Sequence, residues 1–485
     1  MAINPGDLLN SVALPQKKAL ASNYIDFTSQ ATQGWAQQYL PDLMEKEAEV
    51  FGNRTIAGFL EKVGAEESMT ADQVVWSEQG RLHLAYTGTV NQTNGLFTIT
   101  HDIDGVAITA SSAAEHGVRL NDMVIVATAA GTVKCLVTLV ADEIVTVKPY
   151  EQDNIEDLAA FDNSASAAAT LLVIGSEYGK GTQGQGNNSS GPKTVDPVFK
   201  SFSNKPIIVK DYYEINGSDA SAIGWVEISG EDGQNGYLWY LKAEGDTRAR
   251  FTDYLEMTML ESVKAVAASS LATAVNEFGT EGLFAAIESR GNITTGVTGV
   301  NAATDLAEFD AILAEFDKQG AIEENMMFVN RATSLAMDDM LASMNSYGAG
   351  GTSYGVFDNE EDMALNLGFS GFRRGSYDFY KSDFKYLNDK GTRGSINDRD
   401  AVAPIRGVII PAGVSTVYDQ SLGKNLKRPF LHTRYRASKT DNRKLKTWTT
   451  GSVGAETSDL DAMQINYLSE RCLITQGANN FMLMK

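Results

Sequence analysis

Residues 123–148 read MVIVATAAGTVKCLVTLVADEIVTVK. Three short runs rich in β-branched residues stand out: Met123–Thr128, Val133–Val140 and Ile144–Lys148. β-Branched side chains suit a pleated, half-buried surface, and Ala130-Gly131 supplies a turn between the first two runs. Val133, Cys135, Val137 and Leu139 recur at period two, which places them on one face of a strand. With Val124 and Val126 they form the expected core of a small β domain. Further runs lie on either side, at Leu96–Thr100, Val106–Ala110 and Leu171–Ile174, with turns at Asn94-Gly95 and Asp104-Gly105. Six short strands within this span predict a barrel or sandwich, bounded at 85–176.

Outward from this β domain the texture changes. Residues 1–65 are polar, with a brief helix expected around Trp35, Tyr39, Leu40 and Leu43, and read as an arm that packs on something else. The segment 175–195 is Gly-, Ser- and Asn-rich and reads as a flexible loop. Strand texture resumes at Lys205–Ile215 and Trp225–Ile228. Asp246–Phe278 then contains no Gly and no Pro. Leu260, Val263, Ala267, Leu271, Ala274 and Phe278 step along it at helical spacing, so one long helix of ~50 Å is expected. Asp305–Lys318 is a second amphipathic helix with Gly320 beyond its end, and Met326–Asn330 a short buried strand. Asn330 is placed to cap a third helix running to about Met344. Residues 346–355 are Gly-rich and loop-like. Ile465–Leu483 reads as two strands around Gly477.

The whole chain has 485 residues, which allows about three domains. A hydrophobic fraction of 43% excludes a wholly disordered chain. Its net charge of −22 argues against a general nucleic-acid coat. Residues 366–450 go the other way, with 17 Lys/Arg against 7 Asp/Glu, a local +10 beside −32 for the remainder. Such a division suggests contact between unlike faces, within one subunit or between copies. Contact of this basic stretch with nucleic acid, through phosphates and the interleaved Phe430, Tyr435 and Trp448, is the weaker reading. Cys135 and Cys472 are too few and too far apart for a disulfide framework or a zinc site, and suit buried thiols. No window has the ~18–20 apolar residues of a membrane span. Met1–Lys18 has Asp7 and no apolar run before its lysines, so it does not read as a secretory signal, and folding in a cytosol is expected.

Catalytic motifs fail on context. Residues 179–184 match G-x-G-x-x-G, but the Asn-Asn-Ser-Ser-Gly-Pro that follows cannot open the helix a dinucleotide site needs. Residues 351–355 match G-x-S-x-G, but a Gly-rich run precedes Ser353 where a nucleophile elbow needs a strand; His432 is its one plausible base. His83, His101, His116 and His432 have no metal-ligand spacing. The acidic clusters Glu45–Glu49, Glu66-Glu67 and Asp358–Asp362 read as solvated faces, without an EF-hand pattern. No catalytic, cofactor or metal residue is assigned, no cofactor is expected, and the chain does not read as an enzyme.

The order of elements, arm, long β excursion, long helix, mixed helical region and closing strands, resembles the major capsid proteins of tailed bacteriophages with the Hong Kong 97-type fold. Within that family the chain is similar to the crAss-like phages. The resemblance rests on Val74–Arg81 as an outgoing E-loop strand, and on Phe202–Ile208 through Tyr213–Gly217 as the returning one. It also rests on Asp246–Phe278 as the spine helix, Asp305–Met344 as the entry to the axial domain, and the closing strands with Leu468-Ser469-Glu470-Arg471. It implies an α+β fold with an N-terminal arm (1–65) and an E-loop (66–235) interrupted by a small β-barrel or sandwich (85–176). A peripheral domain with the spine helix (236–300), an axial domain (301–420) and returning strands (421–485) follow. It implies self-assembly into hexamers and pentamers of an icosahedral head around double-stranded DNA. The partners would be other capsid, portal and head-decoration proteins, and no membrane. The location would be the virion, after folding in the bacterial host cytoplasm. Candidate intersubunit contacts are Arg81, Lys205, Arg373, Arg374, Lys427, Arg428, Arg434 and Arg436. Alternatives are an encapsulin-like shell around cargo, or a β-rich surface or carbohydrate-binding protein.

Overall fold

The computed structural model describes residues 65–108, 116–181, 195, 199–218, 228–229, 235–236, 238–266, 269–271, 278–320, 322–346, 371–397, 399, 404–412, 414–419, 424–453 and 456–485. The readings for the arm, for 182–194, for 347–355 and for Asp358–Asp362 lie outside these residues. The chain divides into two compact units, 77–202 and the remainder.

In chain order, strands β1 (Ala65–Met69) and β2 (Val74–Gln79) lead to the smaller unit. That unit contains β3 (Ala85–Asn91), β4 (Leu96–Asp102), β5 (Asp122–Thr128), β6 (Thr132–Ala141), β7 (Ile144–Pro149) and β8 (Ala167–Ser176). These six close into a barrel in the order β3-β4-β7-β6-β5-β8, antiparallel throughout. Closure removes the open edges that a free sheet of this size would expose. Val90, Phe97, Val124, Val126, Cys135, Val137, Val145, Val147 and Leu171 fill its centre with no exposed surface.

Two expectations for this unit are corrected. Leu139 is 48% exposed, and Val140 takes the buried place. A bulge between Val137 and Leu139 inserts one residue against β7, which reverses the alternation beyond it. Of the expected strand Val106–Ala110, residues 109 and 110 lie outside the described residues, and 106–108 carry a single bridge, His101 to Ala107. The sixth strand is instead β3, whose polar sequence AYTGTVN conceals it. Gly88 marks a bulge against β4, where a Cβ would fall 2.0 Å from the Thr98 carbonyl oxygen, so only glycine fits.

The chain leaves the barrel through β9 (Phe199–Asn204), which pairs with β2, so the strands entering and leaving the excursion are neighbours. Pro206 interrupts the expected returning strand. Beyond it, β10 (Ile207–Asn216) joins a different sheet. Short strands β11 (Ile228–Ser229) and β12 (Asn235–Gly236) pair with each other.

Helix α1 (Leu238–Glu261) follows. It starts earlier and stops earlier than the Asp246–Phe278 pattern predicts. Ser262 donates the last helical bond, to the Thr258 carbonyl, and the Ala265 amide then bonds the Phe278 carbonyl instead. Val263, Val266, Leu271 and Phe278 are 57–68% exposed. A periodic seam adds little helix stability where nothing covers it, and β-branched residues lower the propensity further. Upstream, Phe251, Leu255 and Met259 repeat every fourth residue and are buried.

Next come α2 (Leu283–Arg290), β13 (Asn292–Thr294), α3 (Ala302–Gln319), β14 (Glu324–Val329) and α4 (Arg331–Ser346). Asn301 caps α3 through the Thr304 amide, and Gly320 ends it in the left-handed region. Asn330 caps α4 through the Thr333 amide at 2.9 Å. Strands β15 (Gly371–Arg374) and β16 (Tyr377–Asp383), helices α5 (Lys385–Asn388) and α6 (Arg393–Asn397), and strand β17 (Gly407–Pro411) follow. The chain ends with β18 (Val414–Asp419), β19 (Lys424–Pro429), β20 (Leu431–Arg436), β21 (Lys446–Gly451), β22 (Ala462–Thr475) and β23 (Met482–Met484).

Two sheets organise the larger unit. The first has six strands, β13-β23-β17-β14-β16-β15. Its residues alternate between two cores. Met327, Val329, Ile409, Met482 and Met484 meet Phe309, Ile312 and Phe316 of α3 and Met337, Met340 and Leu341 of α4. Phe328, Val408, Ile410 and Leu483 join Leu283, Phe284 and Ile287 of α2 on the other side. Coverage of both faces accounts for the wholly buried strand β17.

The second sheet is built on β22, with β10 along one edge and both β20 and β21 along the other; β1 adds outside β20. Helix α1 lies on it through Phe251 and Leu255, against Val209, Ile465 and Tyr467.

Candidate assembly surface

The first described residues of the larger unit, from 65, are held largely by charge. Strand β1, AEESM, runs parallel to β20, with Glu67 opposite Arg434. Met69 is its one buried apolar side chain. The Arg434 guanidinium reaches Glu67 at 2.9 Å. Lys444 and, at 3.9 Å, Arg471 pair with Glu66. Arg436 pairs with Asp72 and, at 3.3 Å, with Glu470, which also receives Arg443 at 2.6 Å. Arg471 is buried, which pulls its guanidinium below its usual value. The Glu66 and Glu256 carboxylates pull the other way, and the guanidinium donates to the Ser469 hydroxyl at 2.9 Å and the Lys444 carbonyl at 2.9 Å. Glu66-Glu67, read from the sequence as a solvated acidic face, is therefore one half of a clasp between residues 66–72 and the β20–β22 region.

Arg373 and Arg374 lie on β15, the edge strand of the six-stranded sheet. Arg373 stands opposite Asp378 at 3.6 Å and remains 62% exposed. Arg374 grips Asp310 of α3 with two bonds, at 2.5 and 2.6 Å. Arg81 belongs to the smaller unit, where its Nε lies 2.8 Å from Asp104. Lys205 follows β9, its amide bonded to the Asn204 side chain at 2.9 Å. Lys427 and Arg428 sit on β19, opposite Thr416 and Ser415. Among the described residues, Arg81, Arg373, Arg374, Arg434 and Arg436 thus have carboxylate partners within their own chain. Much of the +10 excess of 366–450 is engaged intramolecularly, a division that a charge count cannot make.

Two residues that sequence reading passed over anchor the root of the excursion. Asn204 is fully buried, and its amide donates to the Glu281 carbonyl at 3.0 Å and the Leu473 carbonyl at 2.6 Å. Its oxygen accepts from the Thr280 hydroxyl at 3.0 Å and the Glu281 amide at 2.9 Å. Trp76, on the outgoing strand, lies under the Arg290 guanidinium at 5.7 Å, and Arg290 pairs with Glu281 at 2.6 Å. Both crossing strands are thereby tied to residues 280–290. No local pattern announces such a site, since a lone Asn before Lys-Pro looks like any turn.

The histidines are dispersed. His83 and His101 are exposed. His116 is buried in the barrel unit and bonded to the Asp142 carbonyl at 2.5 Å. His432 is buried in β20 beside the Pro429 carbonyl at 3.2 Å. Among the described residues, no group of three or more His, Cys, Asp or Glu is placed to hold a metal ion. Cys135 and Cys472 are buried free thiols, each pushed up to about 12 by burial. No described helix is long and apolar enough to cross a membrane.

No family model and no curated protein matches the chain. Solved structures align with it over nearly their full length. A structure titled "Mycobacterium phage Ogopogo" is 9% identical, covering 93% of this chain and 98% of that one, with a TM-score of 0.41. The capsid structure of the cyanophage P-SCSP1u is 8% identical over 94% of this chain and 95% of that one, at 0.40. The mature capsid asymmetric unit of bacteriophage PhiM1 is 9% identical over 92% of each chain, at 0.40.

Proposed function

We propose that this chain is a major capsid subunit of a tailed phage, of the Hong Kong 97-type architecture, that self-assembles into the closed shell of a head around double-stranded DNA. The observation that carries the reading is the plan of the chain. A long helix lies on a sheet whose strands come from residues 65–69, 207–216, 431–451 and 462–475. From that unit a 126-residue excursion departs and returns through paired strands. An excursion of this kind suits a shell, because a two-stranded stem has little core of its own and gains stability when a neighbouring copy covers it. On this reading α1 and the β22 sheet form the peripheral domain. The six-stranded sheet with α3 and α4 forms the axial domain, and the β2–β9 stem forms the E-loop with the barrel at its end. The hexamer and pentamer contacts, the virion location and the crAss-like grouping belong to the same proposal.

Electron microscopy of the purified full chain, expressed alone and with its neighbouring genes, tests it. Closed shells of uniform diameter that contain DNA when formed in infected cells are expected. A chain that stays monomeric at all protein and salt concentrations overturns the reading, and shells filled with an enzyme cargo redirect it to an encapsulin-like compartment.

A further inference from the structure

We infer that the barrel unit of one copy receives the β18–β19 hairpin of a second copy, in a cleft beside its 150–162 connection; this rests on the assembly reading above. The first observation is a cleft of about 380 Å³ on the barrel wall. Ile125, Val133, Leu158 and Phe161 give it an apolar lining, and Lys134 and Glu151 are its charged lining residues. The second is its electrostatic setting. Residues 150–179 carry Glu151, Asp153, Glu156, Asp157, Asp162 and Glu177 and no Lys or Arg. None of these six carboxylates forms an ion pair among the described residues. Asp157 instead caps a turn through the Asn154 amide, and Glu156 accepts from Thr93. Lys148, just before this stretch, spends its ammonium on the Asp153 carbonyl and the Asn154 side chain, and Lys180 directly follows it. The unit as a whole has 7 Lys/Arg against 14 Asp/Glu.

The hairpin supplies the opposite. Among the described residues, β18 and β19 pair with each other and join neither large sheet. An isolated two-stranded hairpin is marginal in water and gains from cover. Its second strand reads KNLKRP, an apolar Leu426 flanked by Lys424, Lys427 and Arg428. Copies that each carry −22 repel one another in bulk, so close association calls for patches of opposite sign. The connection 150–162, which carries five carboxylates and no Lys or Arg and borders the cleft, and the basic sequence of β19 are such a pair. Other basic positions that sequence reading favoured, Arg374, Arg434 and Arg436, already have carboxylates at hand.

The test uses the full chain. A photoreactive residue replacing Lys427 is introduced, and light and heavy-isotope copies are mixed before irradiation. Mixed light–heavy adducts on the 150–162 peptide are expected. Adducts confined to the same copy, adducts elsewhere, or none overturn the inference, whether or not shells form. In parallel, Glu151→Lys with Asp153→Lys, and Lys427→Glu with Arg428→Glu, are each expected to raise the concentration needed for assembly about tenfold. Combining all four substitutions should return it to within about threefold of the original. Shells that form normally from either reversal pair refute the docking and leave the shell reading standing. Light–heavy adducts in small oligomers without shells uphold the docking and refute the shell.

Discussion

Replacing Val140 by Ala and, separately, Leu139 by Ala tests the bulge that sets the register of the barrel. An unbroken alternation from Val133 would bury Leu139 and expose Val140; the bulge exchanges them, leaving Val140 with no exposed surface and Leu139 48% exposed. Val140→Ala removes two buried methyl groups, worth about 1.6 kcal/mol in transfer. The unfilled space adds to this, for a total of about 2–3 kcal/mol. Leu139→Ala removes atoms that already meet water and should cost within about 0.5 kcal/mol. Hydrogen exchange of the 133–149 amides in the full chain reads the difference directly, because local opening scales with local stability. Exchange should quicken about 30- to 150-fold in the first variant and about twofold or less in the second. Equal acceleration in both variants would show that the alternation runs through unbroken, and the register drawn here would be wrong.

The β1 clasp should be worth little per pair. A double-mutant cycle on Glu67→Gln and Arg434→Gln is expected to give a coupling of about 0.2–1 kcal/mol that shrinks in high salt. Arg374→Glu places like charge against Asp310 and should lower the melting temperature of the chain, while Asp310→Arg in the same molecule restores it. Arg373→Glu, where the ion pair is longer and the arginine itself more exposed, should leave the melt unchanged and affect assembly alone; an equal loss of fold in both would refute this division. Burial holds His116 below its ordinary value of 6.5, against the smaller upward pull of its bond to the Asp142 carbonyl and of the Asp142 and Glu143 carboxylates. The folded state therefore binds this proton less readily than the unfolded chain. Its contribution is present above about pH 6.5 and is lost below it, as the unfolded chain takes up a proton that the fold resists. Barrel-amide exchange should accelerate as pH falls from about 7 to 5, after correction for intrinsic rates, and this dependence should be absent in His116→Gln.

Much of the secondary structure was legible because it depends on near neighbours. The alternation of Val133, Cys135 and Val137, the Asn330 cap and the Gly320 stop each answer to local geometry that any surrounding fold must respect. The β-rich excursion and the helix–strand–helix run from 302 to 346 follow from such signals. What local signals cannot carry is where a pattern stops being used. Val263, Leu271 and Phe278 keep helical spacing yet stay exposed, and the helix ends at Glu261. There Tyr386 and Arg393, more than a hundred residues away, hold the last carboxylate at 2.7 Å each. One inserted residue at the β6 bulge likewise depends on β7 and reverses the faces beyond it. The basic stretch 366–450 could be assigned neither to contacts within one subunit nor to contacts between copies, because sequence counts charges without pairing them. Only the tertiary structure brings Glu67 to Arg434, Asp310 to Arg374 and Glu470 to Arg443, because an ion pair is fixed by distance in space, and partners dozens to hundreds of residues apart leave no mark on each other's local sequence.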